Sequence, residues 1–135
     1  MTDMALIAIV TVLALLEYLF FGVMVARARV QTGVKAPATV GDPHFERCFR
    51  VQQNTLEQLI VFLPSLWLFA YYIHAPTGAL LGLVFVTGRF LYYRGYVRAA
   101  SKRGNGFLIG AIAQVALLLG GLAGAVVAWL TGPAA

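Results

Sequence analysis

The sequence predicts an all-α integral membrane protein, built as a bundle of four transmembrane helices. Hydrophobic residues make up 61% of the 135-residue chain and charged residues only 11%, a balance that is rare in a soluble domain of this length. Four apolar segments are each about 20 residues long, which is enough to cross a hydrocarbon core of about 30 Å. We therefore expect one transmembrane domain over residues 1–135, with helices at roughly 4–25, 45–73, 78–98 and 107–130.

The ten Lys and Arg residues form two groups that would lie on the same side of the bilayer. One group falls between residues 27 and 50, and the other between residues 89 and 103. The positive-inside rule then places these loops in the cytoplasm and both termini on the opposite side, in a bacterial inner membrane or the endoplasmic reticulum. The net charge of +5 thus has a membrane explanation. Nucleic acid is not an expected partner, because the basic residues lie along bilayer edges and form no exposed basic platform.

The first predicted helix, 4–25, is mostly Leu, Ala, Val and Ile, with Glu17 near its middle. An ionisable residue at membrane depth costs at least ~2.5 kcal/mol on insertion scales, so Glu17 is expected to face protein. Glu17 either forms a hydrogen bond to another helix of the bundle or belongs to a ligand pocket. Residues 1–10 contain no basic residue of the kind that begins a signal peptide, so we expect this helix to be retained.

The second helix has a recognisable start and an interior proline. The connection from residue 31 to 44 contains glycines and prolines and lacks a hydrophobic period, which indicates a loop. Asp42 is a candidate N-cap, with Pro43 at the first helical position. Pro64 removes a backbone hydrogen bond and is expected to bend the helix.

Three side chains of this second helix form a polar stripe. Arg50, Asn54 and Glu57 stand at positions i, i+4 and i+7, a spacing that stacks them on one face over about 10 Å. Gln53 flanks the stripe. Because a carboxylate is costly at membrane depth, we expect the stripe to face a partner, a cavity or a ligand.

The third helix carries a second polar array. It follows the short turn HAPTG, so the second and third helices are expected to be antiparallel neighbours. Arg89, Tyr92 and Tyr96 then repeat at i, i+3 and i+7, at the same membrane side as the first stripe. This array is either an aromatic belt with snorkelling arginines or part of a binding site.

The fourth helix is apolar and rich in glycine. Gly120 and Gly124 are spaced as in the small-xxx-small pattern, and so are Gly78 and Gly82 in the third helix. Such pairs let helices approach closely, so we expect tight packing here.

The cysteine and histidine residues do not predict a disulfide or a metal site. The single cysteine, Cys48, cannot form an internal disulfide, and a small apolar filler is a better interpretation of it than a nucleophile. His44 and His74 fall on opposite membrane sides in the predicted topology, so we expect no metal site.

Together with Arg29 and Arg103, the two arrays could line a positively charged site that contains one carboxylate. Such a site suits a small zwitterion with net negative charge: arginines for its carboxylates, Glu57 for an ammonium group, and Asn54 with Gln52 or Gln53 for its amides. Glutathione, a tripeptide thiol, has these features. A guanidinium such as that of Arg103 would favour the thiolate, which is the competent nucleophile.

The stretches FERCFRVQQNTLEQLIVFLP and GRFLYYRGYVR resemble the two signature regions of the MAPEG family, the membrane-associated proteins of eicosanoid and glutathione metabolism. The resemblance is strongest to its branch of microsomal glutathione transferases and cysteinyl-leukotriene synthase. It implies a homotrimer of four-helix subunits, with glutathione as co-substrate between neighbouring subunits. By position it implies a catalytic, thiolate-stabilising role for Arg103 and glutathione contacts from seven residues, Arg29, Arg50, Gln52, Asn54, Glu57, Tyr92 and Tyr96.

The resemblance to the leukotriene synthase pattern is incomplete at two positions. Val30 follows Arg29 where that pattern has a second arginine, and Gln58 stands where it has tyrosine. The retained Arg103 still predicts generic thiolate chemistry, whereas the missing arginine weakens the case for the leukotriene epoxide reaction.

Three functions remain to be weighed. The first is a detoxifying glutathione transferase for lipophilic electrophiles, with glutathione-dependent peroxidase activity as a possible second reaction. The second is a lipid-binding scaffold such as the five-lipoxygenase-activating protein of the same family, which needs no activating arginine. The third is a small transporter, which would have to alternate access without an internal repeat. Arg103 and the complete R-x-Q-x-N-x-x-E set favour the enzyme.

Overall fold

The computed structural model describes residues 2–132, and these residues are almost entirely helical. In chain order the elements are α1 (Thr2–Thr32), α2 (Pro43–Phe69), a π-helical turn (Ala70–His74), α3 (Ala75–Arg98), a 3-10 turn (Ala100–Arg103) and α4 (Gly104–Thr131). No strand occurs in this part of the chain. The prediction of an all-α protein is confirmed.

The prediction of four separate helices was wrong, because the π-helical turn Ala70–His74 joins α2 directly to α3. The described residues form three continuous helical stretches, Thr2–Thr32, Pro43–Arg98 and Ala100–Thr131. The segment HAPTG, predicted above as a short turn, is helical from Ala75 onward. Proline is also favoured in the first turn of a helix, and here Pro76 lies in the first turn of α3.

The long middle stretch still reverses direction. A straight helix of its 56 residues would be about 84 Å long, far more than a bilayer needs. The reversal occurs at His74, whose backbone is extended (φ −166°, ψ 117°) and whose ring Nδ1 accepts a hydrogen bond from the N–H of Thr77. The side chain therefore caps α3 where the chain turns.

The two halves of this stretch, α2 and α3, pack antiparallel to each other, as predicted. Arg89 of α3 bonds Asn54 of α2, and the rings of Phe62 and Phe85 stack with centroids 3.8 Å apart. α1 packs antiparallel to α2 and α4 antiparallel to α3. The C-terminal ends of α1 and α3 and the N-terminal ends of α2 and α4 therefore meet at one end of the molecule, together with all ten basic residues.

The core is apolar, and so is much of the outer surface. Phe62, Leu66 and Leu117 are fully buried between the helices. On the outside, Leu19 is 62% exposed and Leu80 is 64% exposed. Helices that are hydrophobic all round are typical of membrane spans, and all three helical stretches are long and apolar enough to cross a bilayer. The exterior therefore suits lipid.

The connection between α1 and α2 positions the start of the polar stripe. Gly33 adopts φ 76° directly after α1, where its N–H bonds the carbonyl of Arg29, an αL cap that favours glycine. At the start of α2, Asp42 accepts a hydrogen bond from the N–H of Phe45 at 3.0 Å. Asp42 is thus the N-cap and Pro43 the first residue of the helix, as predicted.

Candidate functional site

Five of the eight predicted site residues line one cavity of about 300 Å³ at the basic end of the molecule. The cavity lies between α2, α3 and the start of α4. Its lining consists of Arg50, Asn54, Tyr92, Tyr96 and Arg103, with Phe107 at the side. Residues that are far apart in the sequence therefore meet because α2, α3 and α4 pack side by side.

The stripe on α2 is connected by hydrogen bonds along its own face. Arg50 Nη1 lies 3.3 Å from Glu57 Oε1, an ion pair whose side chains are each about half exposed. Asn54 Nδ2 donates to Glu57 Oε2 at 3.5 Å. Glu57 thus lies next to two residues of the cavity wall, and the i, i+4, i+7 spacing does place the three side chains on one face.

The array on α3 reaches the same cavity from the other side. The rings of Tyr92 and Tyr96 lie 5.4 Å apart, and Tyr92 is almost fully buried. The guanidinium carbon of Arg103 lies 5.8 Å from the centre of the Tyr96 ring. Arg103 Nη1 also donates to the carbonyl of Ala100 at 2.7 Å, so the 3-10 turn holds its side chain at the cavity.

A close approach of α4 to α3 makes this arrangement possible. A Cβ atom at Gly106 would overlap the backbone of Tyr92, so α4 can lie against Tyr92 only because residue 106 lacks a side chain. The contact places Phe107 beside the tyrosines, with its ring centroid 6.1 Å from that of Tyr92.

Two predicted site residues lie away from this cavity within the chain. Arg29 stacks over Phe45, with its guanidinium carbon 4.5 Å from the ring centre, and donates to the carbonyl of Ala38 at 2.7 Å. Gln52 lies against Gly22 of α1, because a residue two positions from Arg50 points to a different face of α2. Their part in a common site stays a prediction that requires a second subunit.

Sequence reasoning placed Arg89 in the α3 array without assigning it a role, and it did not single out Thr55. Arg89 is 1% exposed and donates from Nη2 to Asn54 Oδ1 at 2.8 Å and to Thr55 Oγ1 at 2.9 Å. Its guanidinium carbon also lies 4.2 Å from the centre of the Tyr92 ring. The spacing of Arg89 from Tyr92 in the sequence indicated that Arg89 shares a helix face with the site residues. Nothing in the sequence distinguishes Thr55 from any other threonine in a helix.

The cavity combines two guanidinium groups, two phenols and an amide, with the Glu57 carboxylate next to it. Guanidinium groups bind carboxylates in charge-assisted pairs, and phenols and amides add neutral hydrogen bonds. No acidic side chain is among the residues that line the cavity. The site therefore favours a polar ligand with more than one negative group.

Comparisons with known proteins identify the family of the chain. The model of the MAPEG family matches residues 7–123. An uncharacterised protein of Synechocystis is 48% identical over 121 residues, which cover 90% of this chain and 88% of that protein. Microsomal glutathione S-transferase 2 of Homo sapiens is 40% identical over 115 residues, 84% of this chain and 78% of the relative. Leukotriene C4 synthase of Cavia porcellus is 42% identical over 101 residues, 75% of this chain and 67% of the relative.

Proposed function

Because the chain belongs to the MAPEG family, we propose that it is a membrane-bound glutathione transferase that conjugates glutathione to lipophilic electrophiles. The proposal rests on one observation above all: Arg50, Asn54, Tyr92, Tyr96 and Arg103 line a single cavity. It is supported by relatives whose names state a glutathione S-transferase and a leukotriene C4 synthase. The same thiolate chemistry extends the proposal to hydroperoxides, and so to a role in detoxification.

The ligand would be held by charge and by hydrogen bonds. Glutathione carries two carboxylates and one ammonium group, so Arg50 suits a carboxylate and Glu57 suits the ammonium group. These two side chains are paired at 3.3 Å in the structure, which keeps both charges in place on the face of α2. Asn54 and the two phenols suit the peptide groups of the ligand.

Arg103 would stabilise the thiolate of the bound ligand. Within residues 2–132 it has no acidic partner within 4 Å, so its charge is free to favour an anion. A thiolate next to a guanidinium is more populated at neutral pH than one in water. The sulfur then attacks the electrophilic carbon, and a C–S bond forms as the bond from that carbon to its leaving group breaks, with chloride released from a chlorodinitrobenzene-type acceptor. Catalysis comes from the electrostatic stabilisation of the thiolate and from holding both substrates together.

The lipophilic substrate would enter from the bilayer and glutathione from the water. The apolar outer surface lies next to the cavity, with Phe107 at the border. By the positive-inside rule we place the basic end, and therefore the cavity, in the cytoplasm and both termini on the other side.

We further propose that the enzyme is a homotrimer with one glutathione site at each subunit boundary. Arg29 and Gln52 do not reach the cavity of their own chain. If they bind glutathione, a neighbouring subunit has to supply them. The large exposed apolar surface leaves room for such contacts within the membrane.

The deciding experiment compares Arg103→Ala with the wild type in purified protein. We expect the variant to bind glutathione within a few-fold of wild type, to lose most turnover of a chlorodinitrobenzene-type acceptor, and to lose the ultraviolet absorption of bound thiolate. Lys102→Ala removes the neighbouring charge, which does not line the cavity, and should leave all three readings unchanged.

Two outcomes would contradict this. Unchanged turnover in Arg103→Ala would remove the catalytic role of Arg103. A wild-type protein that binds lipids but neither forms a thiolate nor turns over an electrophile would instead be the non-catalytic scaffold.

A further inference from the structure

The most deeply buried charge in the described chain lies beneath the proposed glutathione cavity. Arg89 is 1% exposed, in a helical stretch that is long and apolar enough to cross a membrane. Burying a guanidinium is costly unless its donors are satisfied and its charge is balanced. Arg89 Nη2 has two acceptors, whereas its Nε has no hydrogen-bond partner among the described residues. The contacts of Nη2 therefore indicate why the group is present.

Two contacts of Arg89 are with residues that line the cavity. Arg89 Nη2 donates to Asn54 Oδ1 at 2.8 Å, and its guanidinium carbon lies 4.2 Å from the centre of the Tyr92 ring. Both partners line the cavity, whereas Arg89 itself does not. One buried group thus holds a residue of α2 and a residue of α3.

The bond to Arg89 also determines which way the Asn54 amide points. A guanidinium has donors and no acceptor, so the amide must turn its oxygen toward Arg89. The amide nitrogen is then directed to Glu57 Oε2, 3.5 Å away. Arg89 thereby orients the hydrogen-bonding groups of Asn54 within the polar stripe.

Glu17 of α1 lies at the level of Arg89. Gly78 of α3 lies against Ile7, and Gly82 lies against Val10, so the partners differ by 71 and 72 in residue number. Glu17 and Arg89 also differ by 72, which puts them at one level of these parallel helices. No direct ion pair within 4 Å joins them among residues 2–132.

We propose that Arg89 is a positioning residue for glutathione: from beneath the cavity it holds Asn54 and Tyr92 in their binding orientation. The inference rests on the proposed function and extends it. It assigns a role to a charged residue that the catalytic scheme does not use.

The test separates positioning from folding with three variants measured in the same detergent. The double variant Glu17→Gln/Arg89→Met removes both ionisable groups at this level, so no lone carboxylate is left there. Glu17→Gln alone keeps the hydrogen bonds of Arg89. Leu117→Ala, in the fully buried core, lowers stability without touching the cavity.

We expect the double variant to raise the dissociation constant and the KM for glutathione about tenfold, the loss expected for a charged hydrogen bond, with kcat at saturating glutathione within about threefold of wild type. Glu17→Gln should stay within about twofold of wild-type affinity even though its thermal stability falls. Leu117→Ala should also keep its affinity while its melting temperature falls.

A double-mutant cycle identifies the residue through which Arg89 acts. In an Asn54→Ala background, adding Glu17→Gln/Arg89→Met should cost much less affinity than it does in wild type. Fully additive losses, or an affinity loss of the same size in Leu117→Ala, would overturn the positioning role. If the wild type itself binds no glutathione, the proposed function fails first, which is a different result from an unaffected double variant.

Discussion

Four arginines of this chain carry the same charge in four different environments, and the environment rather than the charge determines what each can do. Arg89 is buried, Arg50 is paired with Glu57, and Arg29 is bound to a loop carbonyl. Arg103 is exposed at the cavity and bonded to a backbone oxygen. Arg103 is thus the arginine best placed to act on a ligand, and Arg89 the one best placed to shape the protein.

The variant Glu57→Gln tests how a single side chain holds the ligand. The change keeps the size of the side chain and removes the charge proposed to bind an ammonium group, so we expect glutathione to bind about tenfold more weakly. Because the Arg50–Glu57 pair is about half exposed, the free energy of unfolding should change by no more than about 1 kcal/mol. Calorimetric titration and thermal unfolding give the two values.

Glu46→Gln is the matched control, since it removes the same charge from the same helix, where Glu46 accepts from the N–H of Gly41 and forms no hydrogen bond or ion pair with Arg50 or Asn54. Equal affinity of Glu57→Gln and wild type would show that the carboxylate does not contact the ligand.

The helices meet through glycines, and these contacts determine where the cavity walls stand. Gly120 packs on the ring of Phe69, and Gly82 on the side chain of Val10, so the tight packing expected from the small-xxx-small pairs is confirmed. Two close backbone approaches lie elsewhere, between Gly88 and Gly110 and between Gly106 and Tyr92. They bring the start of α4, with Arg103 just before it, against the α3 array.

Gly106→Ala tests this helix contact. The added methyl would overlap the backbone of Tyr92, so α3 and α4 must separate. We expect a loss of stability of about 1–3 kcal/mol, as for other overpacked sites, together with a loss of glutathione affinity as Tyr92 moves. Thermal unfolding and equilibrium binding measure the two effects.

Gly104→Ala is the control, because a Cβ at this position meets nothing within 4 Å. Alanine is also the better helix former, so this variant should be neutral or slightly more stable. If both variants behaved alike, the close approach of α4 to α3 would not be what positions Tyr92.

For the molecule as a whole, the proposed trimer explains how Arg29 and Gln52 share a site with Arg103. Both lie away from the cavity of their own subunit, while the outer surface of the bundle is apolar and exposed. A trimer would bury part of that surface and bring the two residues of one subunit to the cavity of the next.

Mixed oligomers test this arrangement. Chains with Arg29→Ala/Gln52→Ala and chains with Arg103→Ala should each have little activity alone. Co-assembled, they form some boundaries at which one chain supplies Arg29 and Gln52 and the other supplies an intact cavity. We therefore expect transferase activity to return in part, measured on oligomers purified through two different tags.

Arg50→Ala with Arg103→Ala is the control pair, because both residues line the cavity of the same chain and mixing cannot restore it. Native mass spectrometry of the wild type should show three chains. Recovery in the control pair, or none in the test pair, would contradict a site shared between subunits.

Much of the fold can be predicted from local patterns in the sequence. Its apolar segments and one-sided basic residues predict a membrane protein, and the helical period predicts that Arg50, Asn54 and Glu57 share a face. Asp42 and Pro43 predict the start of α2, because capping depends on neighbouring residues alone. The helical join after Phe69 was missed, because proline and glycine are compatible with both a loop and a helix start.

Long-range packing accounts for the rest. Helical periodicity says which residues lie together on one helix, but not which face meets which neighbour. That choice depends on side-chain fit across helices far apart in sequence, such as Gly106 against Tyr92. The packing of the helices buries Arg89 beneath the cavity, where it donates to Asn54, and leaves Arg103 exposed. Arg50, Arg89 and Arg103 are the same residue type in the sequence, and packing gives them different environments and therefore different proposed roles.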